Sequence, residues 1–200
     1  MDNEAEKILN EMSKLTSEER CKLLASSIGM TIEEQEENSR RYEAARKYDN
    51  LPIDQWPAFK IKWDISLKNR RLAFDGYEEK TYKKYYPNGL SVGCVDFKEL
   101  NSKLAQHSQR TKEQIWETSG VTKLSKAILH CVEGNSMTPP FICLDKDNVS
   151  VMIGGGYHRM ALCLAKNERT IPILINPSEK EEIEVILKTI KWIDDDGLKK

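Results

Sequence analysis

Val149-Ser-Val-Met-Ile153-Gly-Gly-Gly-Tyr-His-Arg159 is the stretch of this 200-residue chain that decides its fold. The segment Val149–Ile153 is apolar and rich in β-branched residues, which is typical of a buried strand. Three glycines follow it, and the apolar residues of Met160–Asn167 then have helical spacing. The sequence therefore predicts a strand, a tight glycine turn and the start of a helix in direct succession.

The start of that helix has the chemistry of an anion-binding site. The first N–H groups of a helix have no acceptor within the helix, and the helix dipole places about half a positive charge there. Glycines let a ligand approach the backbone, and the two side chains that follow are donors suited to phosphate. Alternatively, the glycines only let the chain reverse, and the histidine and arginine form a solvent-facing pair. The predicted phosphate site has five residues: Gly154, Gly155, Gly156, His158 and Arg159.

The segments around this stretch predict an α/β fold. An amphipathic helix begins at Val121 and ends at Gly134, and the strand Phe141–Leu144 follows. The intervening turn composition predicts that this strand pairs with Val149–Ile153 as a hairpin. A strand over Thr170–Ile175 and a last helix from Ser178 complete the order. We expect an α+β layout within this class, with a small mixed sheet flanked by helices.

Residues 1–50 predict a helical extension that carries no catalytic motif. Thr16 and Thr31 each begin a capping box with a glutamate three residues later, so one helix runs to about Gly29 and a charged one to about Tyr48. We predict that the α/β domain spans residues 51–200. The extension either only lengthens the fold or provides a surface for a protein partner or for self-association. An earlier helix, before Thr16, is predicted from one apolar stripe: Ile8, Leu9, Met12 and Leu15.

Two further segments follow the extension. Apolar residues at every second position from Phe59 to Leu67 predict a half-buried strand. Beyond it, basic residues are interleaved with the tyrosines of residues 77–86, a combination that can bind nucleic acid through phosphate contacts and base stacking. The same composition fits a loop that packs its tyrosines and solvates its lysines. The candidate nucleic-acid contacts are Lys68, Arg70, Arg71, Lys83 and Lys84.

Composition and charge argue against several classes of protein. The chain has 31 basic and 32 acidic residues, and only residues 51–130 are clearly basic, with 14 basic and 9 acidic residues. This balance is weak support for a polyanion partner. Five scattered cysteines without a Cys-x-x-Cys pair predict neither a disulfide framework nor a metal site. Because no apolar run approaches the roughly 18 residues of a membrane span and the start is acidic, we expect a cytoplasmic protein without membrane contact.

The combined pattern resembles the ParB/sulfiredoxin superfamily. Pro139-Pro140 precedes a strand, a hairpin leads to Gly-Gly-x-His-Arg at a helix start, and Glu168-Arg-Thr-Ile-Pro172 enters the next strand. The similarity covers about Val121–Ile190. The local sequence is closer to the Gly-Gly-Cys-His-Arg motif of sulfiredoxins than to the Gly-Glu-Arg-Arg of ParB partition proteins.

The resemblance implies a nucleotide site at the glycine turn. In this family the turn and the His-Arg pair hold the phosphates of ATP in sulfiredoxins, and ParB proteins bind CTP at the equivalent turn. By position, Gly155, His158 and Arg159 match the motif, and the glycines on either side add backbone donors. A lysine of the preceding helix, Lys123 or Lys126, can supply another phosphate contact. Mg²⁺ is expected to accompany the nucleoside triphosphate.

Tyr157 departs from the family pattern. The sulfiredoxin nucleophile is the cysteine immediately before His-Arg, and this chain has a tyrosine there. A phenol with a pKa near 10 cannot replace a thiolate, so we predict that the protein does not reduce sulfinic acids. The sequence after the motif also lacks a helix-turn-helix pattern, which argues against ParB-style operator binding.

Three functions follow as alternatives. The first is a nucleotide-binding enzyme, an NTPase or phosphotransferase, that works mainly by positioning and charge, with His158 as the candidate base. The second is a DNA-binding or regulatory module that uses the basic, tyrosine-rich residues 60–86. The third is an interaction protein that keeps the fold without the ligand.

Overall fold

A computed structural model describes residues 13–16, 19, 31–74, 78–117, 120–147 and 149–193. The chain divides into two compact units, residues 1–46 and residues 47–200. All the candidate binding residues belong to the second unit.

The first unit confirms both predicted capping boxes. Helix α1, Ile32–Ala45, begins where Thr31 Oγ1 accepts from the N–H of Glu34 at 3.1 Å and Glu34 Oε2 accepts from the N–H of Thr31 at 2.8 Å. Thr16 and Glu19 form the same pair of bonds, at 3.2 and 2.8 Å. The predicted apolar positions Ile8, Leu9 and Met12, and the predicted end at Gly29, lie outside the described residues.

The second unit is built on a mixed five-stranded sheet with the strand order β5-β4-β6-β2-β7. Strands β4 and β6 are parallel, and the other neighbours are antiparallel. The described part of the chain therefore has the predicted α/β class. The strands are β1 Lys62–Trp63, β2 Ser91–Asp96, β3 Ser136–Met137, β4 Phe141–Leu144, β5 Val151–Gly155, β6 Thr170–Ile175 and β7 Lys191–Ile193.

Helices cover this sheet and connect its strands. Short 3₁₀ helices occupy Arg46–Tyr48, Ile53–Gln55, Leu67–Ala73, Lys112–Glu117 and Pro177–Glu179. The α-helices of this unit are α2 Glu79–Tyr85, α3 Phe97–Lys103, α4 Val121–Val132, α5 Tyr157–Lys166 and α6 Lys180–Ile186. None of the helices in the described residues is both long and apolar enough to span a bilayer.

Strand β6 lies at the centre of the core because both of its faces are apolar. Ile171, Ile173 and Ile175 are 0 % exposed and pack in one cluster with residues of α3, α5 and α6. Leu174 points to the opposite face and packs with Phe141 and Tyr82 in a second cluster. This alternation follows from the two-residue period of a strand, and burial on both faces explains the nearly continuous apolar run.

The predicted hairpin is confirmed, with a shift in its bounds. Strand β5 pairs with β4 from Val151↔Leu144 to Gly155↔Phe141, with an irregularity in register between Phe141 and Ile142. The strand therefore starts two residues later than predicted and includes two of the three glycines. Only Gly156 is left as the turn into α5.

The predicted strand over Phe59–Leu67 is wrong for most of its length. Exposure alternates from Phe59 to Trp63 as expected, but only Lys62–Trp63 pairs, because its parallel partner β3 is only two residues long. Beyond it, Asp64 accepts hydrogen bonds from the Ser66 N–H at 3.0 Å and from Asn69 Nδ2 at 2.5 Å. The 3₁₀ helix Leu67–Ala73 begins directly after Ser66 and ends the extended segment.

Glu179 makes the stability of the sheet sensitive to pH. Its Oε2 accepts from the N–H of Leu144 in β4 at 3.1 Å. Burial raises the pKa of this carboxyl above its ordinary value, although the Leu144 N–H opposes the shift. The folded protein then holds this proton more tightly than the unfolded chain does. The carboxyl therefore stabilises the fold at pH values below its unfolded pKa of about 4.5, and this stabilisation is lost as the pH rises through the folded pKa.

The variant Glu179→Gln is therefore expected to keep this stability at neutral pH. Glutamine retains an acceptor oxygen for the Leu144 N–H but carries no charge. Urea unfolding at acidic and neutral pH should show a smaller loss of unfolding free energy toward neutral pH than in the unmutated protein. The control is Glu181→Gln, which neutralises an exposed carboxyl nearby. The same pH dependence in Glu179→Gln and the unmutated protein would contradict the assignment.

Candidate functional site

Helix α5 begins without a side-chain cap. Its N-cap is Gly156, which has φ 95° and ψ 32°, a left-handed conformation that glycine adopts without strain. Gly156 has no side chain that could cap the first turn, and that turn contains no acidic residue. The positive end of the helix dipole is thus not neutralised by an acidic residue of its own first turn.

Gly154 and Gly155 are required because other segments pack directly against them, and Gly156 is required because of its positive φ. A Cβ on Gly155 would lie 2.6 Å from the backbone oxygen of Ala73, and one on Gly154 would lie 2.6 Å from the ring of Phe141. A Cβ on Gly156 would lie 2.9 Å from Nε of Arg159. The end of the 3₁₀ helix Leu67–Ala73 and the start of β4 therefore contact the glycine turn.

Arg159 joins the start of α5 to these two segments. Its Nη1 donates to the carbonyl oxygens of Thr138 and Pro139, each at 2.9 Å, and its Nη2 donates to that of Ala73 at 3.2 Å. A guanidinium group has five N–H donors, so these bonds occupy most of them. In this conformation Arg159 positions the turn, and its charge lies beside Gly156.

The other predicted phosphate contacts occupy different surroundings. His158 is half-buried in the first turn of α5. Lys123 is exposed and Lys126 is half-buried on α4, which packs against α5. Helix α4 thus lies beside α5, and a phosphate contact by Lys123 or Lys126 stays a prediction.

The side chain of Tyr157 is directed toward a serine that the sequence did not single out. Tyr157 Oη lies 3.3 Å from Oγ of Ser108, and Ser108 is only 1 % exposed. The sequence reasoning missed Ser108 because a single serine in a polar stretch forms no pattern. This contact places the tyrosine hydroxyl beside the protein interior.

Arg70, predicted to contact nucleic acid, is a buried residue. It is 1 % exposed, its Nε donates to the carbonyl of Ile65 at 3.2 Å, and its Nη1 donates to the carbonyl of Leu90. The guanidinium therefore links segments of the fold and does not lie on the surface. Of the other candidate residues, Lys68, Lys83 and Lys84 are exposed and Arg71 is half-buried.

The tyrosines of this region pack against other rings. Tyr86 stacks on Phe74 with ring centroids 4.9 Å apart and meets Phe141 edge-on at 5.7 Å. Tyr82 lies 5.6 Å from Tyr86 and is buried. Tyr85, by contrast, is 59 % exposed. Tyr77 lies outside the described residues. Among the tyrosines that the structure describes here, Tyr82 and Tyr86 pack and Tyr85 does not, which favours the alternative in which the loop packs tyrosines and solvates its lysines.

The described cysteines do not have the properties of nucleophiles. Burial raises the pKa of the Cys131 and Cys143 thiols to about 11. It also raises the pKa of Cys94, and it raises that of Cys163, in the middle of α5, well above its ordinary range. These thiols stay protonated at neutral pH, and the thiolate is the reactive form. Cys163 therefore does not replace the cysteine that sulfiredoxins have before His-Arg.

Comparison of the chain with protein-family models, with curated proteins and with solved structures finds no significant match. The resemblance to the ParB/sulfiredoxin superfamily thus stays a prediction based on the motif around the glycine turn. Among the residues that the structure describes, no three His, Cys, Asp or Glu side chains are grouped so that they could hold a metal ion.

Proposed function

We propose that this protein binds a nucleotide through its phosphates at the N-terminus of α5, as an NTPase, a phosphotransferase or a nucleotide-dependent switch. The observation that carries the proposal is the way α5 begins: Gly156 leaves the first turn without a side-chain cap, and that turn has no acid. A helix start of this kind attracts anions through its backbone N–H groups and its dipole.

Three groups have separate roles in this proposal. The backbone at Gly156 and Tyr157 faces the phosphates, and His158 is the candidate side-chain donor or base. Arg159 holds the turn in shape through its three carbonyl bonds and adds positive charge nearby. When it accompanies the nucleotide, Mg²⁺ neutralises phosphate charge, so that catalysis needs little more than positioning of the attacking group.

Binding can be tested with ATP, ADP, CTP and GTP, with and without Mg²⁺, by thermal shift and calorimetry on the full chain. We expect at least one triphosphate to stabilise the protein, by about 2.7 kcal/mol at a hundredfold excess over Kd. We expect His158→Ala to weaken that binding about tenfold, since a hydrogen bond to a charged group is lost. His107→Ala, which removes an exposed histidine outside the turn, is the matched control and should bind normally.

Two results would count against this function. One is that no nucleotide changes the melting temperature at millimolar concentration. The other is that a nucleotide binds but His158→Ala and His107→Ala bind it equally well, which would place the nucleotide elsewhere.

Nucleic-acid binding is the second candidate, and the exposed Lys68, Lys83 and Lys84 favour it. Because Tyr82 and Tyr86 are packed in the fold, binding would depend mainly on phosphate contacts. Such binding would fall steeply with salt and would show little preference among base sequences.

A further inference from the structure

A groove lies between the start of α3 and the end of α5, away from the glycine turn. Its volume is about 360 Å³, which is in the range of small-molecule sites. The backbone holds its two sides together, because the N–H of Phe97 donates to the carbonyl of Arg169 at 2.8 Å. Phe97 and Leu164 give the lining a small apolar surface, and its charged residues are Asp96, Lys98, Glu168 and Arg169.

Glu168 places a negative charge where the helix disfavours one. Asn167 ends α5 in a left-handed conformation with φ 55°, and the N–H of Glu168 donates back to the carbonyl of Cys163 at 3.0 Å. The glutamate therefore lies directly after the last turn, at the negative end of the helix dipole, which favours cations. The basic residue of that turn, Lys166, extends to the ring of Phe59, with Nζ 4.5 Å from the ring centroid. This end of α5 thus favours a further cation.

The charged side chains of the lining do not pair with one another. Glu168 is half-buried, and within the part of the chain that the structure describes its carboxylate has neither a salt bridge nor a hydrogen bond. The same holds there for the exposed side chains of Lys98 and Arg169. Asp96 uses one oxygen, Oδ1, to accept from the N–H of Glu99 at 2.9 Å. Because natural sequences break local charge rules mainly at functional sites, this arrangement points to a ligand.

The balance of charge defines the ligand that would fit. Two negative and two positive side chains line the groove. A ligand with a single charge is attracted by one pair and repelled by the other, whereas a ligand with an ammonium and a carboxylate group is attracted by both. Since Phe97 and Leu164 are the apolar residues of the lining, the carbon skeleton between these two groups is short.

We propose that this groove binds a zwitterionic α-amino acid with a small side chain. Its ammonium group donates to the carboxylates of Glu168 and Asp96, and its carboxylate accepts from Arg169 and Lys98. None of the residues proposed to bind phosphate lines the groove, so its test is independent of the nucleotide proposal.

The test is a titration of the isotope-labelled full chain, followed by nuclear magnetic resonance, with L-alanine as the probe. The side-chain amide of Asn101 lines the groove and serves as the reporter, and that of Asn69, which donates to Asp64, is the internal reference. We expect L-alanine to shift the Asn101 signal in a saturable way. Propionate and ethylamine, which each lack one of the two charged groups, should bind at least about tenfold more weakly. No shift with L-alanine, or equal affinity for all three compounds, would overturn the proposal.

Two variants assign the two ends of the ligand. Glu168→Gln should weaken L-alanine binding about tenfold and strengthen that of propionate, because the groove becomes net positive. Arg169→Gln should also weaken L-alanine binding about tenfold, but should not strengthen that of propionate. Glu168→Gln is expected to fold, since it removes a charge that opposes the helix dipole, and the same spectrum checks the fold of both variants.

Glu184→Gln is the matched control, because it neutralises an exposed carboxylate outside the lining and should bind L-alanine normally. If Glu168→Gln and Arg169→Gln both bind L-alanine as tightly as Glu184→Gln does, the amino acid does not occupy this groove and the assignment is wrong.

Discussion

Replacing Gly155 by alanine should destabilise the α/β domain by about 3 kcal/mol or more, through overpacking and the loss of a hydrogen bond. The new Cβ would lie 2.6 Å from the carbonyl oxygen of Ala73. That oxygen cannot move away easily, because it also accepts from Arg159 and belongs to a segment fixed by the buried Arg70. The glycine is thus needed for a backbone-to-backbone contact.

Urea unfolding followed by fluorescence of the four tryptophans measures this change. The control is Gly120→Ala, where a Cβ would have no atom within 4 Å and the cost comes from the positive φ of 88° alone. That cost is about 1–2 kcal/mol. If the unfolding free energy of Gly155→Ala is no lower than that of Gly120→Ala, the turn can rearrange to accommodate the extra methyl group.

Replacing Arg70 by methionine is the second change with a large expected effect, a loss of about 2–4 kcal/mol. Methionine replaces the aliphatic part of the side chain, although it leaves the space of the guanidinium group unfilled. In addition, the carbonyl oxygens of Ile65 and Leu90 lose the donor that they have now. A buried acceptor without a donor retains its full desolvation cost.

Lys68→Met is the matched control, because Lys68 lies in the same 3₁₀ helix and is exposed. Its unfolding free energy should change by no more than about 0.5 kcal/mol. If the Arg70 and Lys68 variants unfold at the same urea concentration, Arg70 is not a structural residue, and its predicted place among surface nucleic-acid contacts would regain support.

The elements that the sequence predicted well depend on local interactions. The Thr31 and Thr16 capping boxes involve residues three apart, and the hairpin of β4 and β5 joins neighbouring segments. Strand β6 was predicted with the bounds that the structure has, Thr170–Ile175. In each case the pattern and the structure it produces lie within one short window of the chain.

The misjudged elements depend on distant partners. The segment Phe59–Leu67 has the alternation of a strand, but the number of residues that pair is set by β3, more than 70 positions later. Strand β7 was not predicted, since its pairing with β2 joins positions about 100 residues apart. Arg70 looked like a surface cation because the carbonyls that hold it are identifiable only after folding.

The same reasoning applies to the predicted site. The strand–glycine–helix succession was predicted from local pattern, and the structure contains it. The partners of the Arg159 guanidinium were not predicted, because they are backbone carbonyls 20, 21 and 86 residues away in the chain. Backbone carbonyls exist at every position, so no residue type identifies those that an arginine will contact.

The hydrogen bonds of Arg159 also make the final shape of the glycine turn depend on segments that are distant in the chain. Bringing together groups 86 residues apart costs chain entropy before the contact contributes any stability. The turn therefore reaches its final geometry only after the sheet and the 3₁₀ helix Leu67–Ala73 have met. A ligand that recognises this geometry would bind the completed domain and ignore partly folded chains, so its binding would report on the folding of the whole unit.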